Sequence, residues 1–178
     1  MRRSMIALAA VLCVGLGVAY AGGDVIELHG VKSKTPASWK KEKPSSNLRT
    51  YQFAVPKADG DKEDADLAIF ESTSGSLAAN VERWKTQFIP PEGKTIDEAS
   101  NLVKFKVGDN TAAVFDISGT YKKPAFSAGA KEERKPNFRR INVMFETEKG
   151  TFFVTLTGPA KTIEKHKDAF DGWIKAFK

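Results

Sequence analysis

Few side chains in this chain combine reactivity with a spacing that would let them act together. His29 and His166 are the only histidines, and a zinc site or a general base would need one of them close to the other or to a carboxylate. His29 follows a short strand signal and His166 stands on the polar side of the last helical pattern, so both read as surface or boundary residues. Asp116 and Ser118, within Phe115-Asp116-Ile117-Ser118-Gly119, could suggest a hydrolase pair. No G-x-S-x-G elbow and no glycine-rich phosphate loop accompanies them, and an ordinary strand accounts for them better. The acidic run from Asp59 to Asp66 has the oxygen density a calcium ion wants. Counted as an EF-hand from Asp59, however, it puts Asp64 where glycine is required and Phe70 where a bidentate acid is required. No catalytic residue, metal or cofactor is expected from these constellations.

What the chain does concentrate is positive charge. Lys122, Lys123, Lys131, Arg134, Lys135, Arg139 and Arg140 are relieved only by Glu132 and Glu133, with Phe126 and Phe138 interleaved. Clustered cations speed encounter with an anionic surface, so these seven are the candidate partner-binding residues for an acidic protein, a polyanionic glycan or an anionic lipid headgroup. The plain alternative is a solvated loop with no partner. The whole chain carries a formal net charge of +6, too mild and too dispersed for the Lys/Arg stripe of a nucleic-acid binder.

The first residues read as an address. Met1-Arg2-Arg3, the apolar run Met5 to Val18 and the triplet Ala19-Tyr20-Ala21 have the order of a cleavable signal peptide, residues 1–21, with the mature chain starting at Gly22. The run is too short to span a bilayer comfortably, so no transmembrane anchor is expected. Cys13, the single cysteine, would leave with the leader, which excludes disulfides, thiolate metal sites and a cysteine nucleophile from the mature protein. A lipid anchor at Cys13 would want a small residue before it, where Leu12 stands. The location expected is periplasmic or extracellular. Residues 22–178 are long enough for one domain that buries its core without staples, and a monomer is expected.

The elements that must position any site follow from periodicity. Alternation predicts strands over Val25 to Leu28, Leu48 to Val55 and Ala65 to Glu71, with Trp39 capping the core and Lys57 to Asp64 forming a flexible surface loop. Ser74-Gly75-Ser76, with a hydroxyl available as N-cap, opens a helix whose stripe is Leu77, Val81, Trp84 and Phe88, stopped by Pro90 and Pro91. Strands over Asn101 to Val107 and Thr111 to Tyr121 flank the turn Gly108-Asp109-Asn110. An irregular exposed loop is expected from Pro124 to Asn137. A hairpin of Phe138 to Thr147 with Thr151 to Thr157 then buries Ile141, Val143 and Phe145 against Asn142, Met144 and Glu146 on its other face. After Gly158-Pro159 a closing helix presents Ile163, Phe170, Trp173, Ile174 and Phe177 on one side. The largest buried side chains expected are Trp39, Phe53, Trp84, Phe115, Phe145, Phe153, Phe170 and Trp173.

Several of these segments together resemble the Mog1/PsbP-like domains. They are Pro36-Ala37-Ser38-Trp39, the strand end Phe53-Ala54-Val55-Pro56, the central amphipathic helix, the strand Gly150 to Leu156, and the ending Trp173-Ile174-Lys175-Ala176-Phe177. The resemblance implies an α+β fold, an α/β/α-type sandwich around a mainly antiparallel sheet of about six to seven strands with two principal helices. It also implies a non-catalytic binding or accessory role. Photosynthetic members assist an oxygen-evolving complex and the Mog1 branch binds a small GTPase, but no partner-specific residue of either branch can be matched here. The reading is thus an exported, non-enzymatic binding domain that docks an anionic macromolecule through the basic loop. The alternative is a small-ligand or hydrolytic protein with a pocket between sheet and helix, which Asp116 or His166 would line.

Overall fold

The computed structural model describes residues 23–71, 75–124 and 131–178. The leader, its cleavage site and Phe126 lie outside the described residues. Among the described residues, ten strands and two helices follow in the order β1 (Val25–Leu28), β2 (Val31–Lys34), β3 (Lys40–Glu42), β4 (Tyr51–Val55), β5 (Ala65–Phe70), α1 (Leu77–Lys85), β6 (Phe88–Ile89), β7 (Ser100–Val107), β8 (Asn110–Lys123), β9 (Glu133–Thr147), β10 (Gly150–Pro159) and α2 (Ala160–Lys175). β1 and β2 form a separate hairpin. The other strands make one eight-stranded antiparallel sheet in the order β3-β4-β5-β10-β9-β8, and both β6 and β7 pair along the outer side of β8. The sheet thus exceeds the expected size, because β3 and β6 are too short to leave a period in the sequence.

Both faces of this sheet are covered, and that explains its composition. On one side α2 and the β1–β2 hairpin bury Phe53, Leu67, Ile141, Val143, Phe145, Phe152, Val154 and Leu156. On the other, α1 buries Phe115, Ile117, Tyr121, Phe138, Met144 and Phe153, with Phe88 of the edge strand β6 in the same cluster. A strand buried on both faces loses the polar half of its alternation. Asn142 and Met144, expected on the less protected face of their hairpin, are therefore buried too, at 0% and 8% exposure. All eight large side chains expected in the core are buried.

Helix α1 begins where expected, with Ser76 Oγ accepting from the Ala79 N–H at 3.2 Å. It ends at Lys85, ahead of the prolines. Thr86 Oγ1 donates to the Arg83 carbonyl at 2.7 Å, and Gln87 already belongs to the sheet edge, its carbonyl accepting from Lys122 N–H at 2.9 Å. Phe88 consequently lies in β6 opposite Tyr121 and not on the helix stripe.

Helix α2 has Pro159 at its N-cap and no side-chain cap of its own. The missing acceptor comes from the loop before β5. Asp61 Oδ2 accepts from Thr162 N–H at 3.0 Å and from Thr162 Oγ1 at 2.6 Å, while Thr162 Oγ1 accepts from Ala58 N–H at 3.0 Å. His166, expected on the polar side of the helix, is 8% exposed, and its Nε2 lies 2.8 Å from the Pro56 carbonyl oxygen. Lys165 Nζ adds a bond to the Lys57 carbonyl at 3.3 Å, so the segment from Pro56 to Asp64 is tied to α2 by four side chains and is not a free surface loop. Replacing Asp61 by Ala should lower stability by about 1 kcal/mol, the usual cost of losing a helix cap. Urea unfolding checks this, and an unchanged midpoint would show that the helix end is satisfied by water alone.

The largest departure from expectation lies in β8 and β9. Where an irregular segment was expected up to Asn137, β9 starts at Glu133 and pairs Lys135 with Tyr121, Arg134 with Lys122 and Glu133 with Lys123. Pro136 hides the strand in the sequence because proline cannot donate to a ladder. It is accommodated where the register shifts between Gly119 and Tyr121, beside Asn137 at φ 57°. A bulge of this kind leaves residues unpaired and lets a strand carry proline.

Candidate cleft beside the first helix

Nine residues of α1 cannot cover one whole face of the sheet. Beside the helix the face stays open as a cleft of about 840 Å³, bounded by α1, the β8–β9 hairpin and the loop preceding β4. Trp84, Phe138, Phe153 and Phe70 give it apolar walls, and Thr155, Thr157, Tyr121, Gln87, Arg140 and Asn142 give it polar ones. That volume and mixture are those of a binding pocket, in which a few placed polar groups orient a largely apolar ligand. A second concavity of about 770 Å³ lies beside β2 and the β7–β8 turn. None of its lining residues is among the described buried groups without a hydrogen-bond partner.

Strand alternation decides which of the seven candidate cations reach the cleft. Arg139 and Arg140 are neighbours in β9 and so point to opposite faces of the sheet. Arg139 lies on the α2 side, where it holds Asp116 with two hydrogen bonds of 2.8 and 2.7 Å and also bonds Glu164. Its pKa is raised, chiefly by the Asp116 hydrogen bonds, and its geometry is that of a clasp fastening α2 to the sheet. Asp116 is occupied by this clasp and His166 by Pro56, so neither lines the cleft. Arg140, Lys123 and Lys135 do line it. Lys122 and Arg134 form a cross-strand pair one position away, on the opposite face of the hairpin. Lys131 stands exposed just ahead of β9.

Arg140 is the centre of the cleft chemistry. Its Nε donates to Thr157 Oγ1 at 2.7 Å, one terminal nitrogen to the Tyr121 hydroxyl at 2.7 Å and the other to Gln87 Oε1. The guanidinium also lies 4.5 Å from the centroid of the Tyr121 ring. Every one of these partners is neutral. Burial pushes the pKa of Arg140 down, opposed by Tyr121 and more weakly by Asp66. The guanidinium stays charged in any case, so the direction records a desolvation cost that no directly bonded carboxylate offsets. Part of the side chain remains accessible, as befits a group in the wall of an open cleft.

The carboxylates that share the cleft are already engaged. Asp66 bonds Arg49 at 2.8 Å, Glu63 bonds Lys135 at 2.6 and 2.7 Å, and Asp64 accepts from Lys57 N–H at 2.9 Å. Lys135 is consequently only 14% exposed. Among the described residues, five cations, Arg49, Arg83, Lys123, Lys135 and Arg140, line the cleft against three carboxylates. Its field is positive.

Asn142 was not singled out from the sequence, and it carries the second unusual feature. It follows Arg140 by two positions on the same face of β9, opposite Phe115 on β8 and Thr155 on β10. Its side chain is fully buried, lines the cleft, and has neither Nδ2 nor Oδ1 hydrogen-bonded among the described residues. The signal was present in the chain as a polar residue in the middle of the apolar run Ile141-Asn142-Val143-Met144-Phe145.

A sandwich of this topology, with an antiparallel sheet between a long helix and a short one, is a PsbP-like fold. Cyanobacterial PsbP (CyanoP) from Synechocystis sp. PCC 6803 matches with a TM-score of 0.51 at 13% identity, over 91% of this chain and 95% of that one. A protein of unknown function from Pseudomonas aeruginosa aligns with a TM-score of 0.44 at 16% identity, over 85% of this chain and 93% of that one. No protein-family model matches the chain, and no curated protein is significantly similar to it in sequence. Among the described residues no helix is long and apolar enough to cross a membrane.

Proposed function

We propose that this chain is an exported, non-catalytic binding domain that receives an anionic partner in the cleft, steered there by the cations of the β8–β9 hairpin. The observation that carries the reading is Arg140, a desolvated guanidinium on the cleft wall whose hydrogen-bonding partners among the described residues are all neutral. An incoming anion would offset its burial, and a net positive surround would draw that anion in. Lys123 and Lys135 belong to the cleft wall, while Lys122 and Arg134, on the outer side of the hairpin, and Lys131, exposed ahead of β9, act at long range. Arg139 has the separate task of holding α2. The hydrolytic alternative loses support because Asp116 and His166 are engaged on the other face of the sheet.

A fluorescein-labelled glutamate-rich peptide tests the reading by anisotropy. Its affinity should fall about tenfold or more between low and high salt, as steering by exposed cations weakens within a Debye length. Arg140→Gln should weaken it further at fixed salt, and joint replacement of Lys122, Lys131 and Arg134 by Gln should flatten the salt dependence. Equal, salt-insensitive affinity in all three proteins would show that the basic residues are surface decoration.

A further inference from the structure

We propose that the group seated in the cleft is the C-terminal end of a polypeptide with an apolar last residue, its carboxylate held by Arg140 and its preceding amide by Asn142. The inference rests on the reading of Arg140 just given and supplies the chemistry that reading leaves open. A guanidinium has five N–H groups. Arg140 engages Thr157, Tyr121 and Gln87, one bond each, so two N–H groups have no partner among the described residues. Two such N–H groups in a planar fork are what a carboxylate accepts from.

Asn142 narrows the ligand further. A buried primary amide with neither its donor nor its acceptor met is costly, and such groups in a native fold call for an explanation. Asn142 offers one donor nitrogen and one acceptor oxygen at the same place, which is the complement of a peptide unit. It stands two residues from Arg140 on one face of one strand, a separation of roughly 7 Å along a β-strand. A chain terminus likewise presents a carboxylate and a peptide amide side by side, two groups that neighbouring side chains on one strand face can meet together. An isolated phosphate, or the carboxylate of a Glu side chain, would satisfy Arg140 and leave Asn142 unmet. The apolar walls Trp84, Phe153 and Phe138 take the last side chain. The cleft continues to the loop at Ser45 to Arg49, where Leu48 is 72% exposed and the incoming chain would leave.

The test uses N-acetyl-Leu-Phe with a free carboxylate, the same dipeptide amidated at its C-terminus, and benzoate, each titrated calorimetrically into the mature protein. The free acid should bind at least about tenfold more tightly than the amide, the difference that a charge-assisted hydrogen-bond pair makes. Asn142→Leu should raise the unfolding midpoint of the free protein, because an unmet polar group is replaced by an apolar one of similar size. The same variant should weaken the free acid about fivefold or more. A purely structural asparagine would do the reverse, losing stability and leaving affinity alone. Equal affinity for acid and amide, benzoate binding as tightly as the dipeptide, or an Asn142→Leu variant that keeps full affinity would each overturn the proposal. If Arg140→Gln still weakens the glutamate-rich peptide in any of these cases, only the peptide-terminus inference falls. If Arg140→Gln leaves that peptide unaffected, the parent reading falls with it.

Discussion

Truncation of Trp173 to Ala is expected to destabilise the protein by about 3 to 5 kcal/mol, the range for removing a buried aromatic and leaving a cavity. Trp173 is 3% exposed and sits in the larger of the two cores. Its ring packs against Trp39 at 5.4 Å, Phe177 at 5.3 Å and Phe170 at 6.0 Å between centroids. The Ser33 hydroxyl of β2 donates to its carbonyl at 2.9 Å, so the residue joins helix and hairpin at one point. The three ring neighbours are themselves at most 3% exposed, so the truncated site is enclosed at each of these ring contacts, which places the cost in the upper part of the range. Trp84 makes a useful comparison, since it stacks on Phe115 at 5.8 Å but borders the open cleft. Neighbours beside an open space can relax, so Trp84→Ala should cost nearer to about 3 kcal/mol. Guanidinium unfolding of the two variants decides it. An unchanged midpoint for Trp173→Ala would mean that α2 does not pack as described.

The closing helix was legible because Ile163, Phe170, Trp173, Ile174 and Phe177 repeat at helical spacing, and that stripe is buried as expected. The hairpins around Gly108 and Gly150 were legible for a similar reason, a turn flanked by alternating apolar residues. What stayed hidden either lacks a period or is not local. Every residue of β3 is exposed, and its Lys40-Lys41-Glu42 sequence carries no apolar signal. The first residues of β9 are charged and interrupted by Pro136, so pairing with β8 overrides what composition suggests. The cap of α2 comes from Asp61, far away in the chain. The candidate site shows the same division. Arg140 was visible as part of a basic cluster, yet alternation alone already separates it from Arg139, since adjacent strand residues face opposite sides. That signal was available in the expected strand from Phe138. The cleft itself could not be read, because it exists only where a short helix fails to cover a wide sheet.

Gly119→Ala is the substitution expected to strike fold and cleft together, at about 2 kcal/mol or more, the scale of overpacking into a rigid backbone. A Cβ on Gly119 would stand 2.3 Å from the Ile89 carbonyl oxygen, at φ 154°, where the end of β6 pairs with β8 beside the register shift between β8 and β9. That neighbour is backbone and has no rotamer to retreat into, so β6 must move. Gln87 immediately precedes β6, its carbonyl bonded to Lys122 N–H and its side chain to Arg140. Phe88, packed on Tyr121 at 5.3 Å, would shift with it. Displacing the strand therefore loosens two of the groups that hold the guanidinium in the cleft wall. Gly108→Ala supplies the control. At φ 59° with no atom within 4 Å of an added Cβ, it carries only the left-handed backbone cost of roughly 1 to 2 kcal/mol. Both variants should be less stable than the parent in urea, but only Gly119→Ala should also weaken the free-acid dipeptide when stability is otherwise sufficient. A Gly119→Ala protein with unaltered affinity and a smaller stability loss than Gly108→Ala would show that β6 does not support Arg140 through Gln87.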